Sequence, residues 1–171
     1  MKSLYLLRHA ESEWTSSSGR DHDRPLSVAG RDSAARIGRY LAHLDEVPNR
    51  VVTSPARRTR ETLEALLPHL PGPPKLVVEE RIYLASSGQL LARLQEVDDG
   101  QTGVLLIGHN PGIAELAQAL PGSGERASSR RLAARFPTGA TAVSEFDLER
   151  WRDLAPGSGR LLSYATPKDL V

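Results

Sequence analysis

The chain has no cysteine, which removes disulfides, thiolate zinc coordination and a cysteine nucleophile together. Only Lys2, Lys75 and Lys168 among its 22 basic residues are lysine. Its cations are therefore almost all guanidiniums, groups suited to bidentate contact with phosphate or carboxylate. Neither sign of charge is in excess: the formal net charge is +1, which gives no global case for nucleic-acid or membrane binding, so any anion site must be local. No apolar run approaches the ~20 residues of a membrane span. Arg8 and His9 cut the N-terminal run short before it resembles a signal peptide, and a cytoplasmic monomer is the expectation. Neither a glycine-rich P-loop nor a dinucleotide fingerprint follows the first apolar run, which argues against nucleotide-dependent chemistry. Carboxylate-rich clusters are also missing, with His9, His22, Asp21 and Asp23 the nearest approach to a metal-ligand set. No metal and no cofactor is expected.

What is there is organised around residues 3 to 10, Ser-Leu-Tyr-Leu-Leu-Arg-His-Ala, an apolar run of the kind that fills a buried strand and that stops on two titratable side chains. Gly103 to Ile107 repeats the design and runs into Gly108-His109-Asn110-Pro111-Gly112, a helix-opening turn. In an open α/β sheet, ligands sit outside the carboxyl ends of the strands. Two strands ending on histidine suggest one site between His9 and His109.

The rest alternates. Apolar residues Ala34, Ile37, Leu41 and Leu44 share one helical face after a Ser27 N-cap. A short strand at Arg50 to Thr53 precedes a helix expected to open at Ser54-Pro55, with Leu63, Leu66, Leu67 and Leu70 inward. Lys75 to Val78 is a third strand, followed by a helix from about Ser87; a further helix follows Pro111. Gly122 to Pro137, with Arg126, Arg130, Arg131 and Arg135, shows no clear period and reads as a mobile loop with room for one helical turn, its arginines solvated or, alternatively, touching the acidic surface of a protein substrate. Ala140 to Leu148 and Arg160 to Ala165 close the chain as strands. At 171 residues the chain suits one domain, 1–171, of a size that buries roughly 70% of the surface its unfolded form exposes. The alternation means an α/β fold, a three-layer α/β/α sandwich around a mostly parallel sheet.

On this map Arg8 and His9, Ser54 to Arg58, Glu80 and His109 all fall at one edge of the sheet. Arginines and histidines beside two helix N-termini describe an anion site for a phosphate-bearing ligand. Leu7-Arg8-His9-Ala10-Glu11-Ser12, then Arg24-Pro25-Leu26-Ser27 with Gly30, then Ser54-Pro55 with Arg58 and Thr62, then Gly108-His109-Asn110-Pro111-Gly112, resemble the histidine phosphatase superfamily with its phosphoglycerate mutase-like fold. The likeness is greatest to the short SixA-type phosphohistidine phosphatases. It covers residues 4 to about 120.

The resemblance implies a metal-independent phosphatase that works through a covalent phosphohistidine. His9 is then the nucleophile, with Arg8, Arg58 and His109 holding phosphate oxygens. Spacing from Ser54 selects Arg58 over Arg57 and Arg60. Glu80, in Glu-Arg-Ile-Tyr, resembles the acid-bearing segment of the mutase branch and is the candidate general acid, although SixA-like members often lack a counterpart. Ala10 stands where many relatives have glycine, and Thr15 where mutase-like members have asparagine. The expected substrate is phosphohistidine in a protein. The alternatives are a small-molecule phosphomonoesterase or mutase of the same fold, and a non-catalytic phosphate-binding protein. His22, His43 and His69 have no partner at the edge and read as exposed or helix-end residues.

Overall fold

In the computed structural model, which describes residues 1–171, the first strand, β1 (Lys2–Arg8), is buried on both faces. This explains why its run is continuous rather than alternating. Its neighbours are β4 (Gly103–Gly108), parallel, and β6 (Thr141–Phe146), antiparallel. With β2 (Arg50–Thr53), β3 (Lys75–Val78), β5 (Pro121–Gly124) and β7 (Gly159–Ala165) they make one seven-stranded sheet in the order β3-β2-β4-β1-β6-β7-β5. Only β6 runs against the rest.

Side chains on a strand alternate between faces, and the two cores follow that parity. Tyr5, Leu7, Leu105 and Ile107 pack with Ile37, Leu41, Leu63 and Leu66 of helices α1 (Val28–Ala42) and α2 (Arg57–Leu66). Leu4, Leu6, Val104 and Leu106 face the other way, onto Leu90, Leu94, Ile113 and Leu116 of α3 (Ser87–Leu94) and α4 (Gly112–Ala119). The three-layer α/β/α arrangement is thus a direct result of two buried sheet faces. His9 and His109 continue the parity of Leu7 and Ile107, towards the α1 and α2 layer.

Three local features differ from the sequence reading. Helix α2 starts at Arg57, with Ser54 and Pro55 in the turn before it, where the Ser54 hydroxyl accepts the Ala56 amide at 3.2 Å. The 122–137 stretch is not a loop: it supplies edge strand β5 and helix α5 (Arg126–Ala134). The sequence of β5, Pro-Gly-Ser-Gly, carries no side-chain period, and its pairing with β7 is made by backbone alone. On α5 only Leu132 is buried, too little to show an apolar stripe. The other helix starts match, with Ser27 Oγ accepting the Gly30 amide and Ser86 forming a capping box with Gln89.

Candidate active site

The register of the sheet sets the site. Arg8 is level with Gly108, and Leu7, Ile107, Thr53 and Val78 lie on one line across four strands. His9 and His109 are therefore the first residues past adjacent strand ends, with ring centroids 5.4 Å apart. By the same count Glu80 is level with them but beyond β3, the edge strand, three positions from β1. At about 4.8 Å per strand that is roughly 14 Å to the side of β1 and roughly 10 Å to the side of β4, which carries His109. Glu80 is exposed, in a 3-10 turn, and is not among the residues that line the cleft, a position that argues against the general-acid role expected from the sequence. Sequence placed it at the right height and could not see the strand order.

Close backbone approaches hold the two histidine loops. A Cβ on Gly30 would lie 2.0 Å from the Glu11 carbonyl oxygen, and one on Gly112 2.0 Å from that of Ala85, so no larger residue fits either position. Ala10 is buried without positive φ; its amide donates to Thr62 Oγ1 at 3.0 Å, and that hydroxyl donates to the Arg58 carbonyl at 2.7 Å. Thr62 thus ties the His9 loop to the helix that carries Arg58. Leu84, at φ 50°, is the one non-glycine residue in the left-handed region, and it lies on the cleft wall.

The cleft has a volume of about 560 Å³ and brings Arg8, His9, Arg58 and His109 together with Asp21 and Arg24. His9 Nδ1 lies 2.8 Å from the Ala10 carbonyl, an oxygen that only accepts, so the proton sits on Nδ1. Nε2 makes no hydrogen bond within the chain and keeps its lone pair. Burial pushes the His9 pKa down to about 4 despite the Ala10 contact, helped by the charges of Arg58, Arg8 and Arg24. The ring is neutral at pH 7. His109 is driven down to about 3, mainly by burial and then by Arg58. Its Nδ1 accepts from Arg58 Nη2 at 3.3 Å, so Nε2 carries the proton and donates to Ser54 Oγ at 2.7 Å.

Asp21, Arg24, Tyr83 and Ser54 complete the site; the sequence reading places Ser54 at the sheet edge but gives none of the four a role. Asp21 accepts from Arg58 Nη2 at 3.1 Å, from Arg24 Nη1 at 3.0 Å and from the Tyr83 hydroxyl. Partial burial opposes its ionisation, but the hydrogen bonds from Tyr83, Arg24 and Arg58 outweigh it and hold the carboxyl well below the usual range. The Tyr83 ring also meets His109 edge-on, with centroids 5.4 Å apart. Arg24 sits in the quoted Arg-Pro-Leu-Ser motif, a usable signal, whereas Asp21 lies in a stretch without periodicity. Asp21 faces arginines and Asp23 turns to Ser18, so they do not join His9 and His22 around a common point. Arg57, one residue from Arg58, pairs with Glu61 at 3.0 Å, outside the cleft.

The two depressed histidines give stability a pH dependence. Unfolded, they protonate near 6.5; folded, they resist down to about 4 and about 3. Between those limits the unfolded chain binds more protons, so this stability is fully present above pH ~6.5 and is lost on acidification through the window. Thermal melting should therefore fall as pH drops from ~6.5 towards 4, and His109→Gln, which cannot titrate, should show a shallower decline. Equal slopes would mean that His109 is not buried neutral.

Residues 4–90 match the histidine phosphatase superfamily, branch 1. An uncharacterized protein of Mycobacterium tuberculosis is 33% identical over 165 residues, covering 95% of this chain and all of the relative. A chloroplastic uncharacterized protein of Arabidopsis thaliana is 34% identical over 137 residues, 70% of this chain, and the match spans 59% of that longer protein. The solved structure of a candidate phosphohistidine phosphatase SixA of Nakamurella multipartitia superposes with a TM-score of 0.82 at 30% identity, covering 97% of this chain and 96% of that one. With the motifs, the sheet order and these relatives in agreement, the chain belongs to the histidine phosphatase superfamily.

Proposed function

We propose that the protein is a phosphatase that takes the phosphoryl group onto His9 and passes it to water, acting on phosphohistidine in a protein. The observation that carries this reading is His9 itself: neutral, with its proton fixed on Nδ1 and Nε2 free, in a cleft lined by Arg8, Arg24, Arg58 and His109. Nε2 attacks phosphorus in line while the bond to the leaving group breaks. The guanidiniums hold the oxygens that carry the negative charge, which supplies most of the catalysis in phosphoryl transfer. Water then attacks phospho-His9, releasing inorganic phosphate and restoring the imidazole.

The leaving group distinguishes the substrates. An alkyl phosphate departs as an alkoxide and needs a positioned acid, usually worth about 10² to 10⁴-fold. The cleft carboxylates do not offer one: Asp21 is held ionised by its three donors, and Glu11 turns its carboxylate to Ser27. A phosphohistidine ring is basic and takes a proton from water. The mouth of the cleft also carries Trp14, 91% exposed, and Leu84, 56% exposed, apolar contacts of the kind a protein surface covers and a small ester does not.

Pure protein with a chelator present should turn over phosphohistidine peptides and phosphoramidate, and should hydrolyse alkyl phosphates about 10² to 10⁴-fold more slowly. Comparable rates on an alkyl ester would favour a small-molecule phosphomonoesterase. Glu80→Gln is expected to leave every one of these rates within about twofold, since an exposed side chain off the cleft changes little; a selective loss on the alkyl ester would return Glu80 to the acid role. Asp21→Asn should tighten inhibition by inorganic phosphate, because the carboxylate that shares Arg58 and Arg24 with the incoming anion loses its charge. For a half-exposed ion pair roughly two- to fivefold is the scale, and weaker inhibition would contradict the competition.

A further inference from the structure

Beside the cleft lies a second recess of about 530 Å³ that shares Glu11 and Thr138 with it. Its walls come from α5 and the C-terminal 3-10 turn (Pro167–Leu170), the parts of the chain that the phosphate site leaves unused. Arg131 is fixed in its wall, donating to Asp169 at 2.6 Å and lying over the Tyr164 ring at 5.2 Å. Tyr164 in turn donates its hydroxyl to the Arg135 carbonyl, so the wall is built on a cross-braced corner. Arg135 and Lys168 line the same recess, are exposed, and have no acidic partner in the chain. Near-neutral overall, the protein thus places two unpaired cations on one side of its phosphate cleft.

Resting on the phosphatase reading, we propose that this recess is a docking subsite for acidic side chains of the substrate polypeptide, next to the phosphorylated residue. An extended segment advances about 3.3–3.6 Å per residue, so a chain whose phosphorylated side chain enters the cleft passes its immediate neighbours over the adjoining recess. Arg135 and Lys168 supply charge to steer and hold carboxylates, and the braced Arg131 and Tyr164 keep the wall from having to order on binding. The recess opens from one side of the cleft, so the preference falls on one flank of the phosphorylated residue.

The test uses peptides carrying a non-hydrolysable phosphonate analogue of phosphohistidine, flanked on either side by Asp/Glu, by Ser/Gly or by Lys. Affinity is measured calorimetrically at low and at 0.15 M salt. Acidic residues on one flank are expected to tighten binding about tenfold over the neutral peptide, with the gain shrinking as salt screens it. Arg135→Glu with Lys168→Glu should abolish that gain while phosphoramidate hydrolysis stays within about twofold. Arg135→Gln alone, which keeps the length of the side chain, should remove part of it. Equal affinity for all flanks, or a preference that survives in the double variant, overturns the subsite. Failure to hydrolyse phosphoramidate would instead overturn the phosphatase reading, and the binding series would still report on the recess.

Discussion

His9→Ala is expected to abolish turnover of every phosphorylated substrate, a loss on the order of 10⁴- to 10⁶-fold, the scale seen when a covalent nucleophile is removed. No other side chain in the cleft can take its place: His109 has Nδ1 engaged by Arg58 and Nε2 by Ser54. Phosphate affinity should survive, because Arg8, Arg24 and Arg58 remain. His9 contributes one short-range hydrogen bond to the carbonyl beside it, so the variant should fold and melt close to the parent. Retained turnover would remove His9 from the chemistry. Loss of phosphate binding along with turnover would mean that the ring is chiefly part of the anion site.

The second large effect belongs to Arg58. Arg58→Ala should reduce kcat by about 10²- to 10³-fold, the cost of losing one well-placed charge-stabilising donor, and should weaken phosphate inhibition as well. Three contacts explain the size: the buried guanidinium reaches Asp21 through both its carbonyl and its carboxylate, and it reaches His109 Nδ1. Its removal also raises the pKa of both histidines, since its charge helps to depress them. The acid limb of activity should then move upward in pH. Arg57→Ala is the matched control. Successive helical residues lie ~100° apart around the axis, and Arg57 uses its turn to meet Glu61, an exposed-to-buried pair expected to be worth at most ~1 kcal/mol of stability. Activity should be unchanged. The reverse ranking would place the wrong arginine in the cleft.

Much of this site is legible in the sequence because two strands end on it. A continuous apolar run marks a strand buried on both faces, and His9 and His109 fall just beyond two such runs that prove to be neighbours. Arg58 is legible because its spacing from Ser54 in the family motif selects it from three nearby arginines, even though the helix itself starts at Arg57. The sideways offset of Glu80 is not legible, for the opposite reason: its distance from the histidines depends on strand order, and nothing local in Lys75 to Glu80 says that β4 is inserted between β1 and β2. Asp21 is not legible because its role comes chiefly from two long-range donors, Tyr83 and Arg58, joined by Arg24 three residues on, rather than from any period in residues 11 to 24. The α5 helix is hidden by its composition, four arginines and a single buried leucine across 126 to 135, and two of those arginines, Arg131 and Arg135, line the recess.

The most direct test is rapid acid-free quenching of the wild-type protein during turnover of phosphoramidate, followed by mass-spectrometric mapping of the phosphorylated residue. One phosphoryl group per chain, on His9 Nε2 and absent from His9→Ala, is the predicted result. A phosphoryl group on His109 or Ser54, or turnover with no phosphoenzyme at any time point, would contradict it.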